Sequence, residues 1–395
     1  MILLGLGGAG ILAFSGWVDV RLLDESKLCL VMDDSFSSGV LDEGDWVRDV
    51  EMPWSISLSG GGGKTTRRGG FEMTTGDEEN LFISNGRLHF HPTVTPDPLL
   101  IQTFTLPQCT SAIREGRRNN TERCTTSSNP ALGLSLPPIR SARIHSAKTI
   151  RYGRVSINAQ LPRGDWLVPS FQLVPSSSSS SSSSYDPDQG YPLSGVLDLL
   201  QARGNDASYP TQGINHVTSS VSFGLGDEER RISGWFGQKR MDYSRGTHEY
   251  TLEWTEQFIR VFVDGRLKTM LDLNVGPSGL FSGFHKGGKG KGKGKKTLWD
   301  QASFPQTTLN ETTGQVAPLN NPYLSSIAPF DKPFHLSMHL GVGGTDGWFP
   351  DGQGGKVWYD AEGRVEQTRG AMLQFARALE DGRVRWDESK MDMKM

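Results

Sequence analysis

The sequence predicts an all-β fold, a sandwich of antiparallel sheets, and three observations carry that expectation. Hairpin-like segments with alternating apolar and polar residues recur along the chain. No stretch sustains a helical period except AMLQFARALEDG, residues 371–382, which predicts one short helix. Turn formers are abundant, with 48 glycines and 21 prolines in 395 residues, as a chain of many short strands requires. Strands that follow one another without intervening helices must cover their apolar faces with a second sheet. At this length one large or two ordinary domains are expected, and all-β units often reach such a size undivided.

The chain opens with Met1 to Val18, MILLGLGGAGILAFSGWV, eighteen residues without a charge. That just reaches the length of a membrane span, but the glycines and the lack of a basic start leave a cleaved signal peptide and a short signal anchor both open. A buried hairpin is the plain alternative. LFISNGRLHFHP (81–92) reads as a hairpin turning at Asn85-Gly86, a pair suited to a two-residue turn. Cys109 and Cys124 then bracket CTSAIREGRRNNTERC, where a disulfide would restrain a polar segment unable to order itself by packing. Asn119 inside that loop, and Asn310 further on, begin glycosylation sequons, and Cys29 is left over. YTLEWTEQFIRVFVDGRL (250–267) is hairpin-like again, with Asp264-Gly265 as its turn signal and Leu252 and Trp254 alternating like an inner face. Three low-complexity stretches, near 59–70, 176–184 and 286–296, contain too little apolar surface to offset the entropy of ordering and read as loop insertions.

Composition also excludes some functions. A net charge of -3, from 41 basic and 44 acidic residues, gives no footprint of a nucleic-acid binder. The eight histidines show no metal-ligand spacing, and His335 and His339 fall on a strand rather than a helix, so neither a metal nor a cofactor is expected.

The chemistry centres on YPLSGVLDLLQARGN (191–205), where Asp198 interrupts an apolar run. A carboxylate buried alone is costly, so it must be paired, hydrogen-bonded or functional. This segment resembles the catalytic strand of glycoside hydrolase family 16, and SARIHSAKTIRYGRVSINAQLPRGDWLVP, THEYTLEWTEQFIRVFVDGRL and GVGGTDGWFPDGQGGKVW resemble the family's other blocks in order. The similarity is to the branch of laminarinase-like enzymes and β-1,3-glucan-binding (Gram-negative-bacteria-binding) proteins, and covers most of residues 30–385, taken as one domain. It implies a β-jelly-roll sandwich of the concanavalin A-like type, a concave glucan groove, and retaining hydrolysis in active members.

The family pattern Ser-Gly-Glu-Ile-Asp-Ile-Met-Glu-Ala-Arg-Gly-Asn places Val196 in the nucleophile position and Gln201 in the acid/base position, with Asp198 as the retained assisting residue. In such a strand a β-bulge would bring the last of these side chains back to the face of the first two. Valine has no nucleophilic atom and a carboxamide cannot protonate a leaving oxygen. The resemblance further implies Arg143, Trp166, Trp235, Trp348 and Phe349 as candidate groove residues. Two tryptophans of the family's Trp-Leu-Trp-Pro-Ala-Ile-Trp block are replaced, by Val168 and Gln172. The expectation is a β-1,3-glucan-binding protein of the secretory pathway, extracellular, cell-wall or membrane-anchored, without hydrolysis. An active endo-β-1,3-glucanase or transglycosylase using displaced residues, and a decayed paralogue that binds nothing, are the alternatives. Asp206 and Glu253 are possible second carboxylates for the former.

Overall fold

The computed structural model describes residues 23–53, 70–110, 124–176, 191–225, 228–275, 297–309, 314–360, 365–387 and 391–395. Met1 to Val18, Asn119, Asn310, residues 286–296 and nearly all of 59–70 and 176–184 lie outside the described residues.

The first strands are β1 (Trp46–Arg48), β2 (Glu72–Thr74), β3 (Leu81–Ser84), β4 (Arg87–Phe90), β5 (Thr93–Val94), β6 (Gln102–Thr105) and β7 (Thr125–Ser128). β8 (Ile139–Ser141), β9 (Arg143–Ile150), β10 (Gly153–Ala159), β11 (Leu167–Pro175), β12 (Val196–Ala202), β13 (His216–Leu225) and β14 (Glu228–Gly237) follow. The last are β15 (His248–Trp254), β16 (Phe258–Val263), β17 (Thr269–Asn274), β18 (Thr307–Leu309), β19 (Val316–Pro318), β20 (Phe334–Val342) and β21 (Met393–Lys394). Two helices, α1 (Leu298–Ala302) and α2 (Val365–Glu380), complete the described elements longer than a single turn.

A seven-stranded antiparallel sheet in the order β1-β9-β20-β11-β12-β13-β14 stacks on a four-stranded antiparallel sheet, β10-β15-β16-β17. The late strand β20 slots between β9 and β11, the long-range closure of a jelly-roll sandwich. Ile144, Phe171, Leu197, Val217 and Val221 from the larger sheet meet Tyr250, Leu252, Trp254, Val261 and Val263 from the smaller in one core. Each such side chain contributes roughly 1.5 to 3 kcal/mol by leaving water. The inner-face reading of Leu252 and Trp254 therefore holds, and the Trp254 indole N–H donates to the Phe330 carbonyl at 3.0 Å.

Local signals fare unevenly. Asn85 and Gly86 turn between Ser84 and Arg87 with φ of 53° and 66°, as a two-residue hairpin requires. Asp264-Gly265 does not close the hairpin of its segment: β15 and β16 are joined through residues 255–257, and Asp264-Gly265 instead opens a 3-10 turn, Arg266–Lys268, leading to β17. Helix α2 begins before the expected Ala371, because its first six residues, VEQTRG, carry no apolar periodicity for a sequence to reveal. The packed chain also runs past residue 385, with Met391 and Met393 buried and β21 paired to β4.

Candidate functional site

Strand β12 is buried along its whole length, with β11 and β13 on either side. Its register breaks in the middle: Asp198 pairs with Gln172 and Ser220, whereas Gln201 pairs with Ser170 and Thr218. Leu199 and Leu200 therefore oppose a single residue, Ser219, in the manner of a bulge. The extra residue turns Gln201 onto the face that carries Asp198, and one guanidinium nitrogen touches both side chains.

Two ladder rows cross this face of the large sheet. One runs His145, Ser337, Gln172, Asp198, Ser220, Ser233; the next runs Arg143, His339, Ser170, Gln201, Thr218, Trp235. Alternation along each strand places these residues opposite the core, so the face is polar by construction. Asp198 is the one carboxylate among these twelve positions.

Asp198 is fully engaged. The Gln172 amide donates to Oδ1 at 2.6 Å, the Ser220 hydroxyl donates to Oδ2 at 2.6 Å, and Nη2 of Arg231 lies 3.4 Å from Oδ2. The same Nη2 donates to Oε1 of Gln201 at 2.8 Å, and Nε of Arg231 donates to the Ser220 hydroxyl at 2.9 Å. A buried carboxylate with amide, hydroxyl and guanidinium partners meets the requirement for burial without a reaction partner. Gln172 is thus one of its donors.

Arg231 is the residue that sequence reasoning missed, although a signal existed. Gly226-Asp227 is a two-residue turn signal between β13 and β14; Leu225 opposite Glu228 then puts Arg231 opposite Ser222 and Trp235 opposite Thr218.

The residues after the bulge hold the surrounding loops. Arg203 donates to the carbonyls of Trp348, Thr211 and Gln212, tying two loops to the end of β12. At Gly204 a Cβ would sit 2.5 Å from the Gly164 carbonyl, so no side chain fits. Asn205 accepts from the Trp166 amide at 3.2 Å and donates to Asp165.

Of the expected aromatic platforms, two are misplaced. Trp166 and Phe349 are 3% and 1% exposed, their rings 5.3 Å apart and both packed on Trp358. They belong to the core because the loop that carries Phe349 folds back over the start of β11, where Gly343 bonds to the Trp166 carbonyl. Trp235, by contrast, is 56% exposed and lies against the His216 ring. Trp348 is half-buried beside the site, with the Arg203 guanidinium 4.1 Å from its ring centre and that of Arg231 at 5.8 Å.

Neither suggested second carboxylate joins Asp198. Asp206 pairs with Arg163 in the loop after β12. Glu253 lies on the other sheet, fully buried, 2.6 Å from Arg266 and 2.9 Å from Arg154. At the far end of the polar face Arg143 pairs with Glu51, His145 lies 2.8 Å from Asp49, and His339 lies 3.3 Å from Glu72. Burial, with the Arg143 charge, holds the His339 pKa below its ordinary value despite Glu72. Cys109 and Cys124 form a disulfide. No group of three or more metal-ligating side chains occurs among the described residues. A crevice of about 1520 Å³ opens elsewhere, between the segment around Met32 and the β10–β15 edge of the sandwich.

Residues 116–276 match the model of glycosyl hydrolases family 16, so the resemblance read from the sequence holds, and the bulged strand lies within the matched span. The chain is 29% identical over 232 residues to a β-1,3-glucan-binding protein of Penaeus monodon, covering 56% of this chain and 51% of that one. It is 25% identical over 368 residues to β-1,3-glucan-binding protein 1 of Manduca sexta, covering 91% and 62%. The chain thus spans about half the length of the curated relatives it matches. Among solved structures, the laminarinase catalytic domain of Thermotoga maritima aligns at a TM-score of 0.47 and 18% identity, covering 80% of this chain and 88% of that one.

Proposed function

We propose that this chain, which carries a family 16 sequence signature, recognises a β-1,3-glucan along the polar face of its larger sheet and does not cleave it. The observation that carries this reading is the state of Asp198: it is held by Gln172, Ser220 and Arg231, between Val196 and Gln201, neither of which can act as nucleophile or acid. Retaining hydrolysis needs two carboxyl groups about 5 to 5.5 Å apart, and inversion about 6.5 to 9.5 Å. Along their rows, the strand that bears Arg143 and His145, with the carboxylates paired to them, lies three ladder spacings from β12, roughly 14 Å. The ligand class is supported by the relatives, which are named β-1,3-glucan-binding proteins.

Trp235 and Trp348 are the platforms in this reading, with Arg143 at the other end of the row that contains Gln201 and Trp235. We further infer an exported protein, supported by the Cys109–Cys124 disulfide. No helix among the described residues is long and apolar enough to cross a membrane. A second reading, a folded paralogue that binds nothing, is favoured by the burial of Trp166 and Phe349.

The deciding experiment pairs retention on immobilised β-1,3-glucan with reducing-end release from laminarin over many hours. Retention without release is expected, weakened up to about tenfold by Trp235→Ala through the loss of ring stacking. Release by the wild type overturns the non-hydrolytic reading, and failure of the folded protein to be retained leaves the second one. Val196→Glu with Gln201→Glu is expected to restore some release.

A further inference from the structure

A glycosidase presents carboxyl oxygens to its substrate, but here the groups left unoccupied beside Asp198 are donors. Arg231 uses Nε and Nη2 on Ser220, Asp198 and Gln201, while its Nη1 has no hydrogen-bond partner among the described residues. Its side chain is 36% exposed, so the remaining N–H groups face the solvent side of the sheet. Because a guanidinium only donates, it fixes the orientation of the Gln201 carboxamide: Oε1 is taken, and Nε2 is left as a donor. Nε2 likewise has no partner among the described residues, although Gln201 is only 1% exposed. A nearly buried amide donor without an acceptor is costly, and a ligand oxygen placed there recovers that cost.

Charge points the same way. The guanidinium groups of Arg203 and Arg231 lie 4.1 and 5.8 Å from the centre of the Trp348 ring, and Asp198 is the one carboxylate among the twelve row positions, with Asp346 bonded to the Trp348 amide and Glu229 two residues along β14 from Arg231. Arg203 spends its donors on main-chain carbonyls, so it adds positive charge without competing for a ligand. A neutral hydroxyl can accept from Arg231 and Gln201, but an oxyanion forms charge-assisted bonds roughly twice as strong.

We propose that Arg231 Nη1 and Gln201 Nε2 together form a subsite for an oxyanion carried by the glucan chain, a sulfate ester or a carboxylate, with Trp348 stacking on the sugar that bears it. This deepens the glucan-binding reading and rests on it.

The test compares binding of laminarin, sulfated laminarin and carboxymethylated laminarin of matched length by titration calorimetry, at low and at raised salt. The wild type is expected to prefer at least one anionic form by about tenfold or more, with the advantage shrinking as salt screens the charges. Whichever anionic form is preferred identifies the oxyanion. The preference is expected to vanish in Arg231→Met and in Gln201→Glu, which changes the charge with little change in size and guards against a failure of the first variant to fold. Equal binding of neutral and anionic glucans overturns this inference and leaves the glucan reading standing. A preference that survives both substitutions also overturns it, moving the anion site elsewhere, as to the lysine-rich stretch 286–296. Binding of none of the three by folded protein overturns both readings.

Discussion

Asp198 illustrates how one side chain's surroundings decide its role. With Gln172, Ser220 and Arg231 on its two oxygens it needs no reacting partner to be buried. Arg231 also constrains any attempt to restore chemistry, because its Nη2 lies 2.8 Å from the oxygen of residue 201. A carboxyl group introduced by Gln201→Glu would be held ionised there, and a general acid must be protonated to act. Release by the Val196→Glu, Gln201→Glu variant is therefore expected to peak at distinctly acid pH. Adding Arg231→Met is expected to move that peak upward, which pH–rate profiles on laminarin would establish or refute. Glu253 supplies a second residue-scale case. Burial pushes its pKa up, but the Arg266 and Arg154 guanidinium groups outweigh burial and hold it below its ordinary 4.5. Its folded value lies below its unfolded one, so the stabilisation is present above pH 4.5 and is lost as pH falls through the depressed value. Glu253→Gln is expected to cost about 3 kcal/mol at pH 7 and progressively less in acid, read from urea midpoints across that range.

Among the elements, β12 and β14 matter most. The bulge at Leu199–Leu200 is what brings Asp198 and Gln201 to one face, and the spacing of the family-like motif already suggested it. Strand β14 carries Arg231 and Trp235 outward while its backbone passes close to β17: a Cβ on Gly234 would lie 1.8 Å from the Met270 carbonyl. Gly234→Ala must push the two sheets apart at this edge. A loss of about 2 kcal/mol or more is expected, with weaker glucan retention as Arg231 and Trp235 shift. An unchanged urea midpoint would mean that the edge yields freely. Asp264-Gly265 shows the limit of reading turns one pair at a time. The pair suits a hairpin, but the Asp264 side chain instead accepts from the Glu249 amide and from Lys268, tying the longer connection to β15.

At the scale of the whole molecule, stability comes mainly from the core between the two sheets, with a small second cluster of Val50, Met52, Met73 and Leu106 against which Cys109 packs. The Cys109–Cys124 bridge spans 15 residues, and a closed loop of that size contributes about 3 kcal/mol by restricting the unfolded chain. Replacing both cysteines by alanine is expected to lower unfolding stability by about 2 to 3 kcal/mol in urea titrations. Glucan retention should stay within about twofold, since neither cysteine lies in the rows that carry the site.

The sequence by itself determined the all-β class, the Asn85-Gly86 hairpin, the inner face of β15 and the strand that carries Asp198, because each is written in short-range periodicity, turn chemistry or contiguous motif. It also located Asp198, Val196 and Gln201 relative to one another along one strand. Only the tertiary structure decided what surrounds them. Arg231 reaches Asp198 from two strands away, and Trp166 and Phe349 go to the core because two loops distant in sequence close on each other. Glu253 goes to the opposite sheet. Those outcomes depend on register and on loop closure between remote segments, which a local pattern of residues does not encode.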